Sequence, residues 1–222
     1  MTFLITAGPT REPIDPVRYL SNRSSGKMGY AIAEAALEVG HDVILISGPV
    51  NLAPPRNARF ISVLTSDEMF EAAERHANES DVCVLCAAVA DYQPARVSPA
   101  KIKKSGDKIS IELIPTRDIL QSLGRRQHRK FLLAGFAAET NDLEANAAKK
   151  LQEKNCDIIV ANDARIALDS DENEVVILFG DGQKTKISRA PKKIVARELV
   201  KIFCKFATKM FDKKDVMITE RT

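Results

Sequence analysis

Apolar and polar positions along the chain alternate between two periods. Residues 3–5 (Phe3, Leu4, Ile5) form a short apolar run. After a long polar stretch, residues 30–40 are apolar nearly all round except for Glu34 and Glu38, which share one helical face. That order predicts strand, loop and buried helix, with Gly40 as the helix stop. Residues 41–47 (HDVILIS) give a second apolar strand and close a β-loop-α-β unit, whose crossover is right-handed in nearly all folds. The alternation continues with a strand over 59–63, then Thr65 and Glu68 in capping-box spacing ahead of a helix carrying Met69, Phe70, Ala72, Ala73 and Ala77. Further strands are predicted over 81–88, 130–135 and 157–161, with a short helix from Asp118 and a helix capped by Asn141 and Glu144 that puts Leu143, Ala147 and Leu151 on one face. KISIEL, residues 108–113, alternates as a half-exposed strand. EVVILFG and KTKISR around Gly180 and Gly182 predict an antiparallel hairpin, and Pro191 opens an amphipathic helix with Val195, Leu199, Ile202 and Phe206. The fold class is α/β: a Rossmann-like open, mostly parallel sheet with helices on both faces and a C-terminal antiparallel hairpin.

The segment 6–29, TAGPTREPIDPVRYLSNRSSGKMG, is too long for a connector in such a fold, where strand-to-helix loops take about 2 to 6 residues. Ligands of open α/β sheets gather at the carboxyl ends of the strands. Polar or small-residue motifs end several predicted strands here: Thr6-Ala7-Gly8, residues 87–91, residues 136–140, and Asn162-Asp163. SSGKMG is not a Walker loop, since Ser21 stands where the first glycine belongs and Met28 follows Lys27. Nor is the dinucleotide fingerprint present, because Gly8 is the sole glycine close behind the first strand. Ser24, Ser25, Gly26 and Gly29 at a helix start can still offer amides, hydroxyls and close approach to an anion, or serve only as a tight turn and helix-packing glycine.

Composition narrows the function classes. At 222 residues the chain suits one α/β domain, and 45% hydrophobic content can fill its core. No apolar stretch reaches spanning length and Met1 leads straight into a strand, so a cytoplasmic protein without membrane contact is expected. A net charge of +3 gives no argument for nucleic-acid binding. The lysines from Lys192 and Lys193 through Lys201, Lys205, Lys209, Lys213 and Lys214 are read as a solvated basic face. Cys83 and Cys86 have metal or redox spacing, but a strand points residues three apart to opposite faces. His41, His76 and His128 lie outside the informative loops.

TAGPTREPIDPVRYLSNRSSGKMG, AAVADY, KIKK, GFAAET and AND, in that order and spacing, resemble bacterial phosphopantothenoylcysteine synthetases, the phosphopantothenate-cysteine ligases of coenzyme A biosynthesis. The likeness is close over residues 2 to about 163. It implies a Mg2+-dependent homodimer that joins 4'-phosphopantothenate to L-cysteine with CTP as co-substrate, through an acyl-cytidylate, releasing pyrophosphate and CMP. Members are often fused behind a flavin-dependent decarboxylase, whereas this chain is expected to be a standalone synthetase domain over 1–222, with dimerisation and substrate-loop functions at about 92–115 and a separate phosphopantothenoylcysteine decarboxylase as a possible partner. KISIEL offers a strand for dimerisation, or a local hairpin strand.

By the same resemblance, Asn22 holds the acyl-cytidylate for attack by cysteine, and Lys101 serves nucleotide activation. Arg18 reaches the substrate of the neighbouring subunit, Ala87, Ala88 and Asp91 approach the pantothenate, and Asp91 accepts hydrogen bonds or assists the metal. Nucleotide contacts fall to Gly8, Ser24, Gly26, Gly29, Leu85, Cys86, Ala87, Asp91, Lys101, Phe136, Lys150, Lys154 and Asn162. Where the family shows Asn-Pro-Asp, this chain has Thr116-Arg117-Asp118, so contacts from Asp118 and Ile119 rest on a departed motif. Use of ATP instead of CTP, a noncatalytic nucleotide-binding module, and a nicotinamide-dependent reductase stay open on the residues alone.

Overall fold

The computed structural model describes residues 1–167 and 170–219, with side chains through residue 165 and over 170–211. β1 (Thr2–Ala7) leads into a small hairpin of β2 (Arg11–Pro13) and β3 (Tyr19–Ser21), followed by α1 (Lys27–Glu38), β4 (Asp42–Ser47), β5 (Arg59–Ser62), α2 (Ser66–His76) and β6 (Val82–Leu85). A second ribbon, β7 (Tyr92–Pro94) with β8 (Leu113–Pro115), precedes α3 (Ile119–Gly124), β9 (Leu132–Glu139), α4 (Leu143–Glu153), β10 (Ile158–Asp163) and α5 (Ala164–Ala167). β11 (Glu172–Phe179), β12 (Lys184–Pro191) and α6 (Lys192–Thr219) complete the described chain.

Eight strands form one sheet in the order β12-β11-β10-β9-β6-β1-β4-β5. From β5 to β10 all neighbours are parallel, and β11 and β12 add on antiparallel. Chain order reverses between β1 and β6, which makes their carboxyl ends the topological switch point. The near-continuous apolar runs seen in the sequence are those of parallel strands buried on both faces. On one face Ile32, Ala36, Leu199 and Phe203 of α1 and α6 pack on Phe3, Ile5 and Val84. On the other, Met69, Ala73, Leu123 and Ala147 from α2, α3 and α4 pack on Leu4, Cys83 and Leu133. Cys83 and Cys86 lie on opposite sides of the sheet, as strand geometry requires.

Glu34 and Glu38 meet Lys193 at 3.2 Å and Arg197 at 2.8 Å, so α1 and α6 run parallel in register. Exposed pairs of this kind are screened by solvent, so they fix register more than stability. The side chains of Lys213 and Lys214 lie outside the described residues.

α1 sits directly over β1 because Gly29 has no side chain: a Cβ there would lie 2.7 Å from the Cβ of Ala7 and 3.1 Å from the Thr6 carbonyl oxygen. Gly29→Ala must push the helix off the sheet and is expected to cost about 1–3 kcal/mol. In a thermal melt this reads as a fall of roughly 2–4 °C per kcal/mol for a domain of this size. An unchanged melting temperature would contradict the packing.

Three local expectations are corrected. The stretch 6–29 is not one loop but holds the β2–β3 hairpin, whose three-residue strands are too short to show a period. KISIEL is not a strand over 108–113: pairing with 92–94 begins at Leu113, and the partner bends at 95–96, so Ile109 and Ile111 have no ladder to join and stay 53% and 42% exposed. Asn141 does not cap α4. The cap position is Asp142, at φ 47° and without a side-chain cap bond, while the Asn141 carbonyl accepts from Asn146 Nδ2 at 3.0 Å. The capping box at Thr65 forms as the sequence predicts.

Candidate active site

The loops leaving β1 and β6 are stitched together past the ends of the strands. Ala88 N donates to Gly8 O at 2.9 Å, Ala87 N to Thr6 Oγ1 at 3.2 Å, and Ala90 N to Thr10 Oγ1 at 3.0 Å. Thr6 and Thr10 are buried, so their hydroxyls must be satisfied, and these amides satisfy them. The stitched loops form the floor of a cavity of about 750 Å³ at the switch point.

Most of the residues singled out in the sequence line this cavity. Asn22, Ser24, Gly26 and Gly29 do so from the start of α1, and Leu85, Cys86, Ala87, Ala88 and Asp91 from the end of β6. Asp118, Ile119, Phe136, Lys150 and Asn162 close the far side. Gly26 takes φ 74° at the helix cap, a left-handed conformation that favours glycine, and no side chain caps the helix. Asn22 Nδ2 donates to Val89 O at 2.9 Å, fixing the amide against the β6 loop. Lys150 Nζ donates to the Phe136 carbonyl at 3.0 Å. Burial pushes the Cys86 thiol up to about 12, so it is an uncharged part of the wall.

Gly8, Arg18, Lys101 and Lys154 are not among the lining residues. Gly8 lies beneath, accepting from Ala88. Lys154 pairs instead with Asp118 at 2.7 Å. Burial works to raise the Asp118 carboxyl, but the Lys154 ammonium and the Gln121 amide, which donates to Asp118 Oδ1 at 2.7 Å, hold it below the usual range. Asp118 thus caps α3 despite the altered motif before it. Arg117, standing in place of the family's proline, bonds Asp67 at 2.8 Å and Glu71 at 3.1 Å and lies over Phe70, tying this loop to α2.

Arg18 belongs to a clamp. The buried Asp15 carboxylate accepts from the amides of Val17 and Arg18, both at 2.8 Å, from Arg18 Nε at 2.9 Å and from Ile102 N at 3.2 Å. Arg18 Nη2 also donates to Ile102 O at 2.6 Å, so the clamp pins the base of the loop that carries Lys101. The Arg18 guanidinium, aided by those amides, holds Asp15 far below the ordinary carboxylate range. With the folded value below the unfolded one of about 3.9, this stabilisation is present above that pH and is lost as pH falls through the folded value. Urea midpoints measured from pH 5 downward should fall less steeply for Asp15→Asn than for the unaltered protein; equal slopes would contradict the clamp.

Besides Lys150, four cationic side chains that the sequence did not assign to the site line the cavity, Arg23, Lys27, Arg117 and Lys192, against the carboxylates of Asp91 and Asp118. Lys27 carried a visible signal, a lysine at the first turn of the helix after the glycine. Lys192 carried none and is corrected: it is not on a solvated face but 8% exposed, with Nζ donating to Ser170 O at 2.6 Å. Among the described residues no group of three or more His, Cys, Asp or Glu side chains could hold a metal ion, and no helix is long and apolar enough to cross a membrane. The arrangement suits a polyanion that brings its own charge to a cationic, glycine-walled cleft.

Residues 1–206 match the family model of the DNA/pantothenate metabolism flavoprotein C-terminal domain. The chain is 49% identical over 199 residues to the coenzyme A biosynthesis bifunctional protein CoaBC of Haemophilus influenzae, covering 88% of this chain and 49% of that protein. It is 47% identical over 201 residues to the CoaBC of Bacillus subtilis, covering 89% and 49%. The chain therefore spans about half the length of the curated relatives it matches. The crystal structure of a CoaBC C-terminal domain superposes with a TM-score of 0.80 at 44% identity, over 95% of this chain and 96% of that one.

Proposed function

Since the chain belongs to the DNA/pantothenate metabolism flavoprotein C-terminal domain family, we propose that it is a ligase of coenzyme A biosynthesis that joins 4'-phosphopantothenate to L-cysteine at the expense of CTP. The observation that carries this reading is the switch-point cavity, where Asn22 and Asp91 stand among five cationic side chains. In the first step a carboxylate oxygen of 4'-phosphopantothenate attacks the α-phosphorus of CTP, the bond to the β-phosphate breaks, and pyrophosphate leaves. In the second the cysteine amine attacks the acyl carbon, the acyl–phosphate bond breaks, CMP leaves, and the amine gives up a proton.

The first step must bring anion to anion. Two unit charges about 4 Å apart repel by roughly 4 kcal/mol at an effective dielectric of 20, and the triphosphate multiplies that figure. Lys150, anchored on the Phe136 carbonyl, and the other lining cations offset it. Asp91, a carboxylate on the cavity wall, would hold a magnesium ion that keeps several of its waters. Such an ion would neutralise charge on the departing pyrophosphate. In the second step the need is for a neutral donor to the developing oxyanion. Asn22 supplies one N–H, its other being spent on Val89.

Lys101 and Arg18 lie outside the cavity of one chain, and we assign them to the site of a second copy in a homodimer. Support comes from the β7–β8 ribbon and the segment joining its strands, where Tyr92, Ile109, Ile111, Leu113 and Ile114 are all more than 40% exposed. Pyrophosphate release assayed with CTP and ATP side by side tests the reading. Release is expected only when 4'-phosphopantothenate is present and to be faster with CTP; nucleotide binding without release would refute it.

A further inference from the structure

Both helices on the first face of the sheet begin at the cavity. α1 follows the β2–β3 hairpin that leaves β1, and α6 follows β12, which runs parallel to β1 because two antiparallel pairings restore the direction. Their first residues are Lys27 and Lys192, and both line the cavity. The segment entering β11 is held between them. Asp171 Oδ1 accepts from Lys27 Nζ at 2.6 Å, Ser170 O from Lys192 Nζ at 2.6 Å, and Asp171 O from Lys192 N at 2.9 Å. Asn173, two residues on and also lining the cavity, reaches Met28 Sδ at 3.7 Å. The two ammonium groups are therefore tied to consecutive residues of one segment at the cavity wall. Lys150 enters from the opposite face, on α4.

We infer that Lys27 and Lys192 form a phosphate subsite of the cavity, separate from Lys150. Lys192 supplies a buried ammonium, whose charge is little screened by solvent. Lys27 is held in place by a carboxylate that is itself 84% exposed, so a phosphate with more charge can take that partner's place without uncovering a buried group. Lysine suits this role as a compact charge that meets phosphate oxygens from any direction. The uncapped amides of α1 point to the same end. Two sources share this chemistry: the terminal phosphates of the nucleotide and the phosphate ester of 4'-phosphopantothenate. The names of those substrates rest on the function proposed above; the phosphate chemistry does not.

Calorimetric titration of the unaltered protein, Lys27→Gln, Lys192→Gln and Lys192→Arg with inorganic pyrophosphate and with 4'-phosphopantothenate tests the subsite. Each Gln variant should bind one probe about ten- to a hundredfold more weakly, the loss expected for one charge-assisted hydrogen bond, and Lys192→Arg should keep most of the affinity. Loss confined to pyrophosphate assigns the subsite to the nucleotide, and loss confined to 4'-phosphopantothenate assigns it to the ester. If Lys192→Gln does not fold, Lys27→Gln decides, since its partner is solvated. Affinities of Lys27→Gln within about twofold of the unaltered protein for both probes would overturn the inference. So would failure of the unaltered protein to bind either. A protein that binds pyrophosphate but forms no amide product would refute the ligase reading and leave this test standing.

Discussion

Asn22→Asp is expected to release pyrophosphate at nearly the unaltered rate while complete turnover falls by about 10² to 10³-fold, the effect of removing one oxyanion donor. The substitution conserves size but exchanges the NH2 group, with both its N–H donors, for a second carboxylate oxygen. One N–H now holds the Val89 carbonyl at 2.9 Å, and a carboxylate there would face that carbonyl with no proton between them. The acyl group would lose its donor and gain a negative charge beside its own developing one. Formation of the acyl-cytidylate, which depends on the cations across the cavity, continues; its consumption by cysteine does not. Rapid-quench sampling should show a nucleotide-bearing acyl intermediate accumulating to a large fraction of the sites. Normal turnover, or loss of pyrophosphate release itself, would remove Asn22 from the second step.

Lys101→Gln should give the opposite pattern, a loss of about 10²-fold in pyrophosphate release with no intermediate to trap. Lys101 is exposed and stands beside Ile102, whose two backbone groups are gripped by Asp15 and Arg18. A lysine on a loop anchored so firmly, yet absent from its own chain's cavity, acts in this account on a neighbour's nucleotide. Mixing and reassembling Asn22→Asp with Lys101→Gln then creates mixed dimers in which one site carries both substitutions and the other neither. Activity should recover to roughly a quarter of the unaltered level under random pairing. No recovery despite verified exchange would return Lys101 to its own chain.

The parallel core was legible because buried strands and amphipathic helices impose periods long enough to count. The run around Cys83 and the capping box at Thr65 are instances, each governed by neighbours close in sequence. Legibility failed where a distant partner decides. KISIEL alternates like a strand, but strand formation needs hydrogen bonds from a neighbour, and the chain stops supplying them after Ala95 donates to Glu112. Lys192 reads as one member of a basic run, and its burial follows only from two antiparallel strands returning α6 to the cavity edge. For the site itself, the 6–29 motif and the residues after β6 were visible as motifs. The cationic wall was not, because Arg117 and Lys192 come from segments far in sequence from the 6–29 motif that carries Arg23 and Lys27.

The most direct measurement is the stoichiometry of products from purified protein given CTP, 4'-phosphopantothenate and L-cysteine with Mg2+. The account requires one pyrophosphate and one CMP for each 4'-phosphopantothenoylcysteine formed, with CMP release but not the pyrophosphate burst depending on cysteine. Amide product without pyrophosphate, or tight nucleotide binding with no amide product, would contradict it.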